Sequence, residues 1–572
     1  MEQNWIKKIS VVLLAAMLLG GAAAIAQTLP EKSVVKFAQG AKKKTKDLRI
    51  AGKAEKKVAD TSMADSAVGP QPTWQQLQIR AIAGRVNQRA AQMMQTPEEI
   101  RYEKICYYWT DDSHTALGVS RQCDSPVATA HVNPAALVLP DSVLVDGVNY
   151  PLIEIGFYAF NNMSQLQGVV IPPTVRKIGE LAFCDCDNLS AVALPETLEA
   201  LPKGAFIECD RLNDIVLPHT VKSIGMFAFF GCRSLGSVLI PASVERIGEA
   251  AFADCQSLAH IDVADDNPSY VSVDGVLLGK DLSKLLQYPA GKAGSSYAMP
   301  GSVNSIGGGA FWGAKKLAVV GLSAMVRFLD FNTFCNCVSL ANIDLPEGLQ
   351  AIGVEAFKGC IGLKKVTLPT TLKAIGARAF DSCVVLAGFD LYNGLNTIGE
   401  SAFRHCSAVT SVVLPESVAS LGGEAFLGCV NLRSVALPNG LKEISPKSFF
   451  GCTGLSAIGL PENLAVVGDS AFFNCSRAGF LLMFDSLQAI GRWAFAGCRG
   501  LEDIDVPASV KTIGEGAFHG CDAARECHVG TVLPLAQAFD RPDRVTVYVP
   551  KGLKKEAKGS GLYSKFAKVK GE

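Results

Sequence analysis

The feature that most constrains this chain is a repeat. Phe, usually after Ala, stands at Phe160, Phe183, Phe206, Phe229 and Phe252, each 23 residues after the last. The same step runs from Phe311 through Phe334, Phe357, Phe380, Phe403, Phe426, Phe449, Phe472 and Phe495 to Phe518. Between Phe252 and Phe311 the step is 59, one period of 23 plus an insertion of 36. No unit of 23 residues can bury its apolar side alone, so fifteen of them in phase must stack into one continuous solenoid.

The other columns keep phase with Phe. Ile or Leu lies five residues earlier (Ile178, Leu201, Ile224, Ile352), usually followed by Gly (Gly179, Gly225, Gly353). Cys lies three after Phe, Leu six after, and then comes apolar-x-apolar-Pro, as in Val366-Thr367-Leu368-Pro369. The period-two alternation predicts a short strand whose Val and Leu face inward, ended by Pro. The Ala-Phe-x-x-Cys-x-x-Leu spacing predicts one or two turns of helix or 3-10 type, and Gly after Ile predicts a tight bend. At ~4.8 Å per coil, fifteen coils make a rod on the order of 70 Å long.

This unit resembles the leucine-rich repeat of BspA-like bacterial surface proteins. The insertion is similar to one typical of that family, through Asn267-Pro268-Ser269-Tyr270, Asp274-Gly275-Val276-Leu277-Leu278 and Tyr288-Pro289-Ala290-Gly291-Lys292, with Leu278 where the family more often has Tyr. Val145 to Gly156 resembles its first coil, and Val545 to Gly552 its closing strand. The resemblance covers about residues 137–566 and implies a leucine-rich repeat solenoid with an adhesive role.

Ahead of the repeat, Lys7 and Lys8 precede an apolar run from Ile9 to Ala26 closing on Ala24-Ile25-Ala26, which reads as a secretory signal peptide over 1–26. A Lys-rich linker follows over 27–72, with Lys42, Lys43, Lys44 and Lys46 clustered. Ile79, Ile82, Val86, Ala90 and Met93 recur at steps of three and four, predicting one amphipathic helix within a cap region over 73–136. The solenoid is expected over 137–527 with its insertion near 264–299, and a C-terminal cap over 528–572. No later apolar run matches the first in length, so the mature protein is expected to be exported to the surface, periplasm or medium without a transmembrane segment.

Thirteen of the 18 cysteines fall in one column, from Cys186 to Cys521. Stacked thiols point the same way, whereas a disulfide needs converging Cβ atoms, so buried free thiols are expected. Cys184-x-Cys186 and Cys335-x-Cys337 lack the further ligands a zinc site wants. Cys106 and Cys123 stand outside the column, where an exported protein could join them. No metal, cofactor or catalytic site is expected: the seven histidines form no H-E-x-x-H, and no nucleophile elbow or phosphate loop occurs. His260 with Asp262, and Asp503 with Asp505, read as surface pairs on strands.

With 54 basic and 54 acidic residues the chain carries no net charge, which argues against a nucleic-acid partner. What remains is the outward side of the strands. Ala191, Ala193, Ser237, Ser411, Ser434 and Ala436 are small there, and Phe480 and Leu482 are large. Small residues admit close approach by a protein or glycan, or simply permit tight sheet curvature. The expected function is an interaction or adhesion scaffold for a host or matrix protein, a glycan or another cell. The alternatives are an envelope structural protein without an external ligand, or an enzyme with its site in the cap or the insertion.

Overall fold

The computed structural model describes residues 103–572 except 122–125 and 134. These belong to one compact unit, Pro72–Glu572. The predicted signal segment, Lys-rich linker and helix lie outside the described residues.

The chain enters through a mixed sheet. β1 (Glu103–Trp109) pairs antiparallel with β2 (Leu117–Ser120) and β3 (Ala128–Val132). β4 (Ala136–Val138) follows, then β5 (Ser142–Val145) and β6 (Val148–Ile155), which form a hairpin. Its turn is Asp146-Gly147, both at positive φ (50° and 82°), the turn chemistry that matches strand twist. β2 lies parallel to β6, and β6 pairs with β8 (Lys177–Ile178). β4 pairs with β7 (Gly168–Val170) and β7 with β9 (Ala191–Ala193). The cap thus starts two parallel ladders, which the repeat continues: one of Val-x-Leu strands, one of the short Ile strands.

A third side of each coil carries the Ala-Phe segment. It forms single i→i+3 turns rather than a continuous helix, for example Cys184 N–H to the Leu181 carbonyl at 3.2 Å and Leu189 N–H to the Cys186 carbonyl at 2.9 Å. Residues two before and two after Phe sit at positive φ, as at Leu181 (58°) and Asp185 (59°). This alternation turns every other N–H toward the next coil: Leu181, Phe183 and Asp185 donate to the carbonyls of Lys203, Ala205 and Ile207 at 2.8 to 3.1 Å. The ladder is therefore polar along the rod, with carbonyls facing the N-terminal end and N–H groups the other. Each end meets a complementary group. Arg121 donates its backbone N–H to the Ala159 carbonyl at 3.0 Å and its guanidinium to the Asn161 carbonyl at 3.2 Å. At the other end Gly520 N–H donates to the Asp540 carboxylate at 3.2 Å.

The phenylalanines stack face to face down the rod, with centroids 5.1 Å apart at Phe357–Phe380 and 5.7 Å at Phe495–Phe518. The stack gains one member beyond the fifteen: Phe539 stacks on Phe518 at 5.3 Å, after a step of 21 that hides it from a search at fixed period. The thirteen column cysteines are free and buried. Each thiol lies against the carbonyl of the Phe one coil earlier, from 3.1 Å (Cys360 Sγ to Phe334 O) to 3.4 Å (Cys475 Sγ to Phe449 O). A thiol is small and apolar enough for the core yet still donates weakly, which fits this column. Burial pushes the Cys186 and Cys429 thiols up to about 12.

The glycine after Ile serves packing rather than bending. Gly248 has ordinary φ, but a Cβ there would lie 2.2 Å from the Met226 backbone nitrogen of the preceding coil. Its N–H donates to the Ile224 carbonyl at 2.8 Å, an approach only glycine permits.

The insertion divides the core in two. Its hairpin, Tyr270–Val273 with Val276–Gly279, turns at Asp274-Gly275. Leu277 packs into the first core, while Val276 and Leu278 pack into the second. Asn267 closes the first run: its amide donates to the Pro241 and Val244 carbonyls at 2.8 and 3.1 Å and accepts from the Ser269 and Tyr270 N–H groups at 2.8 Å. The Tyr270 hydroxyl accepts from Ile247 N–H at 2.9 Å, taking the place of the missing next coil. Lys284–Gln287 then pairs with Ser305–Ile306 and restarts the Ile ladder, and Tyr288 heads the second aromatic stack against Phe311 at 5.3 Å. At the far end the expected closing strand, Thr546–Val549, is not the last: Lys568–Gly571 pairs beyond it.

Candidate functional site

In the later coils each of these strands sends the first apolar residue of its Val-x-Leu pattern into the core and the residues on either side of it out, as in Ser411–Val413 and Phe480–Leu482, so the strand face carries two outward rows. In register, Ser411 faces Ser434 and Val413 faces Ala436; Ala457 faces Phe480 and Gly459 faces Leu482. Between them Val412, Ile458 and Leu481 are buried, which fixes the direction of the rest. Ser411, Ser434, Ala436, Phe480 and Leu482 are all exposed, as is Ser237 further back. Val413 is 69% exposed, Phe480 58% and Leu482 40%. Ala436, Ala457 and Gly459 form a low floor among them, and a Cβ built on Gly459 would meet nothing within 4 Å. The patch lies between exposed carboxylates in the same rows: Asp390 before it, Asp503 and Asp505 after it.

Two of the candidate residues differ. Ala191 and Ala193 are only 8% and 3% exposed and belong to a small apolar cluster with Ala136 and Val216, against which Val170 packs. Their rows place Ala193 between Val170 and Val216, whose branched side chains stand higher than its methyl. Conversely Val413, the most exposed apolar residue of the face, was not among the candidates. It occupies the same outward row as Leu482, a signal present in the repeat register.

The paired groups weighed for chemistry are surface contacts. His260 Nε2 lies 3.2 Å from Asp262 Oδ2, with both side chains about half exposed. Among the described residues no group of three or more His, Cys, Asp or Glu is arranged to hold a metal. Cys106 is disulfide-bonded, and Cys123 lies outside the described residues. A shallow polar groove of about 360 Å³ runs beside the early strands, lined by Gln167, Asn188, Ser190, Arg211, Asn213 and Ser234. Among the described residues no helix is long and apolar enough to cross a membrane.

The BspA type leucine-rich repeat region, in six copies, matches residues 148–267, 292–410 and 396–525. No curated protein matches this chain significantly. Solved structures similar to it include a leucine-rich repeat protein from Bacteroides ovatus, 26% identical with a TM-score of 0.40, over 73% of this chain and 99% of that one. A leucine-rich repeat protein from Eubacterium ventriosum is 23% identical with a TM-score of 0.45, over 67% and 94%. A leucine-rich cell surface protein from Faecalibacterium prausnitzii is 21% identical with a TM-score of 0.26, over 74% and 93%. With its 23-residue coils, stacked Phe and thiol columns and a family match over more than half its length, the chain belongs to the BspA-type leucine-rich repeat family.

Proposed function

We propose that this protein is an exported scaffold that binds a macromolecular partner, most simply a protein of a host surface or matrix, through the strand face of its later coils. The observation that carries this reading is the exposure of Val413, Phe480 and Leu482 around a floor of small residues. A standard interface covers ~800 Å² per partner, an edge of roughly 28 Å, or about six strands at ~4.8 Å. Six coils reach from Asp390 to Asp505 in one row, so the partner should bring an apolar centre and a basic rim. The aromatic Phe480 is the natural anchor. Family membership supports a binding scaffold rather than a catalyst, and the predicted signal peptide supports export.

The test is a binding screen of the mature protein against matrix proteins and glycans, repeated with Phe480→Glu plus Leu482→Glu and with residues 27–72 deleted. We expect the double substitution to weaken binding at least ten-fold and the deletion to leave it intact in moderate salt. Loss of binding on deleting the Lys-rich linker alone would refute the reading.

A further inference from the structure

The strand face of the first coils points to an occupant. Ala136, Ala191, Ala193 and Val216 all lie on the outward side, yet none is more than 8% exposed. The same row is open on both sides of this zone, at Val138 (48%) and Leu239 (42%), and again at Val413. Val170 and Val216 overtop the small Ala193, but Val216 itself has only Ala193 and Leu239 as row neighbours and is still 7% exposed, far less than Val138 or Leu239 in the same row.

We infer that the amphipathic segment Trp74–Gln95 of this same chain docks as a helix across the strand face of the first coils, with its Ile79, Ile82, Val86 and Met93 stripe on Ala193 and Val216. Three features choose this occupant. The first is reach. Residues 96–102 can span up to ~24 Å and end at Glu103, the start of β1, in the cap sheet that feeds the first coils. The second is size. The covered zone runs diagonally over the three strands β4, β7 and β9 and the next coil at Val216, ~14 Å, and the apolar stripe from Ile79 to Met93 is ~21 Å long. The third is charge. At ~100° per residue Arg80 falls on one side of the stripe, Arg85 and Arg89 on the other. On the solenoid, Asp187 and Asp210 precede the covered strand positions in the chain and Glu196 and Glu199 follow them, with Asp210 already beside Arg233, Glu196 beside His219 and Glu199 beside Lys222. Each flank of the docked helix would thus bring its arginines to a side that carries carboxylates.

Hydrogen-exchange mass spectrometry on the full mature chain tests this. Peptides within 74–95 should exchange at least ten-fold more slowly than an unstructured segment, and Ala193→Glu with Val216→Glu should remove that protection. Because those substitutions could disturb the coils, Ile82→Asp with Val86→Asp provides the second arm. It leaves the solenoid sequence intact and should raise exchange at 74–95 and expose the outer strand face to an apolar dye. Fast exchange of 74–95 in the unaltered chain overturns the inference. So does protection that survives both pairs of substitutions, or protection lost only on dilution, which would mean that a second copy covers the face.

Discussion

The two runs of coils use one repeat, yet part of the strand face is covered in the first and open in the second. In the first run, from Phe160 to Phe252, outward positions such as Ala193 and Val216 are covered; in the second, from Phe311 to Phe539, Val413, Phe480 and Leu482 stand in solvent. Inward, the two are nearly identical. Phe206 and Phe403 are both fully buried, with stacking neighbours at 5.4 and 5.5 Å and at 5.2 and 5.3 Å. The lesson is that the repeat constrains only what points in. Each inward side chain meets its own copy one period away, so drift is penalised, whereas outward positions are left to acquire partners.

Three measurements can break or sharpen this comparison. The largest effect should come from the aromatic stack. Phe206→Ala and Phe403→Ala should each cost ~3–5 kcal/mol, the range for deleting a buried Phe, while Phe480→Ala should leave stability within ~0.5 kcal/mol. The short first run has few coils to fall back on, so Phe206→Ala should unfold all of it, whereas Phe403→Ala should leave distant coils of the longer run protected. Calorimetry with hydrogen exchange distinguishes these outcomes, and equal, local damage in both runs would show that length does not matter.

A smaller effect is expected at the boundary. Asn267→Ala removes four hydrogen bonds that close the first run and leaves the Pro241 and Val244 carbonyls without the Asn267 amide. It should destabilise the first run by ~1–3 kcal/mol with little change in the second. A uniform loss across both runs, read by exchange, would mean that the two cores act as one.

The smallest effect should be a pH slope, strongest in the first run; burial also raises Asp330 in the second. Arg233 there faces three carboxylates from neighbouring coils: Glu208 at 2.9 Å, Asp254 at 3.7 Å and Asp210 in hydrogen-bond contact. Burial pushes Glu208 from its ordinary 4.5 to about 7, against the pull of Arg233 and helped by Asp254 and Asp210. The native state then keeps a proton that the unfolded chain gives up, so stability falls as pH rises from about 4.5 to about 7. Asp254, raised by the same burial, adds the same sign. Melting midpoints of the first run should drop over this window, and Glu208→Gln should shrink the drop by at least ~2 °C. An unchanged slope in the variant would place the titration elsewhere.

Most of the coil was legible in the sequence, because each column names its own environment. Phe, Cys, Leu and the inward Val and Leu were read as core from period alone, and the thiols as unpaired from the direction stacking imposes. The reason for Gly248 was not legible: sequence offers a bend, while in the fold the Met226 backbone lies 2.2 Å from where its Cβ would be. Nor was Phe539 found, since its step of 21 departs from the period. The insertion could be recognised, but its work of closing one core and opening another depends on Asn267 and Tyr270 reaching backbone groups some 23 to 26 residues away.

The strand face marks the limit most clearly. Sequence alone determined which residues point outward there, because alternation along a strand is local and the register repeats every 23 residues. It could not determine which of them are exposed. That depends on the height of side chains one coil away, as Val170 and Val216 stand beside Ala193. Exposure is a sum over neighbours brought together by folding, so the tertiary structure alone decided that Ala193 is covered and Val413 open.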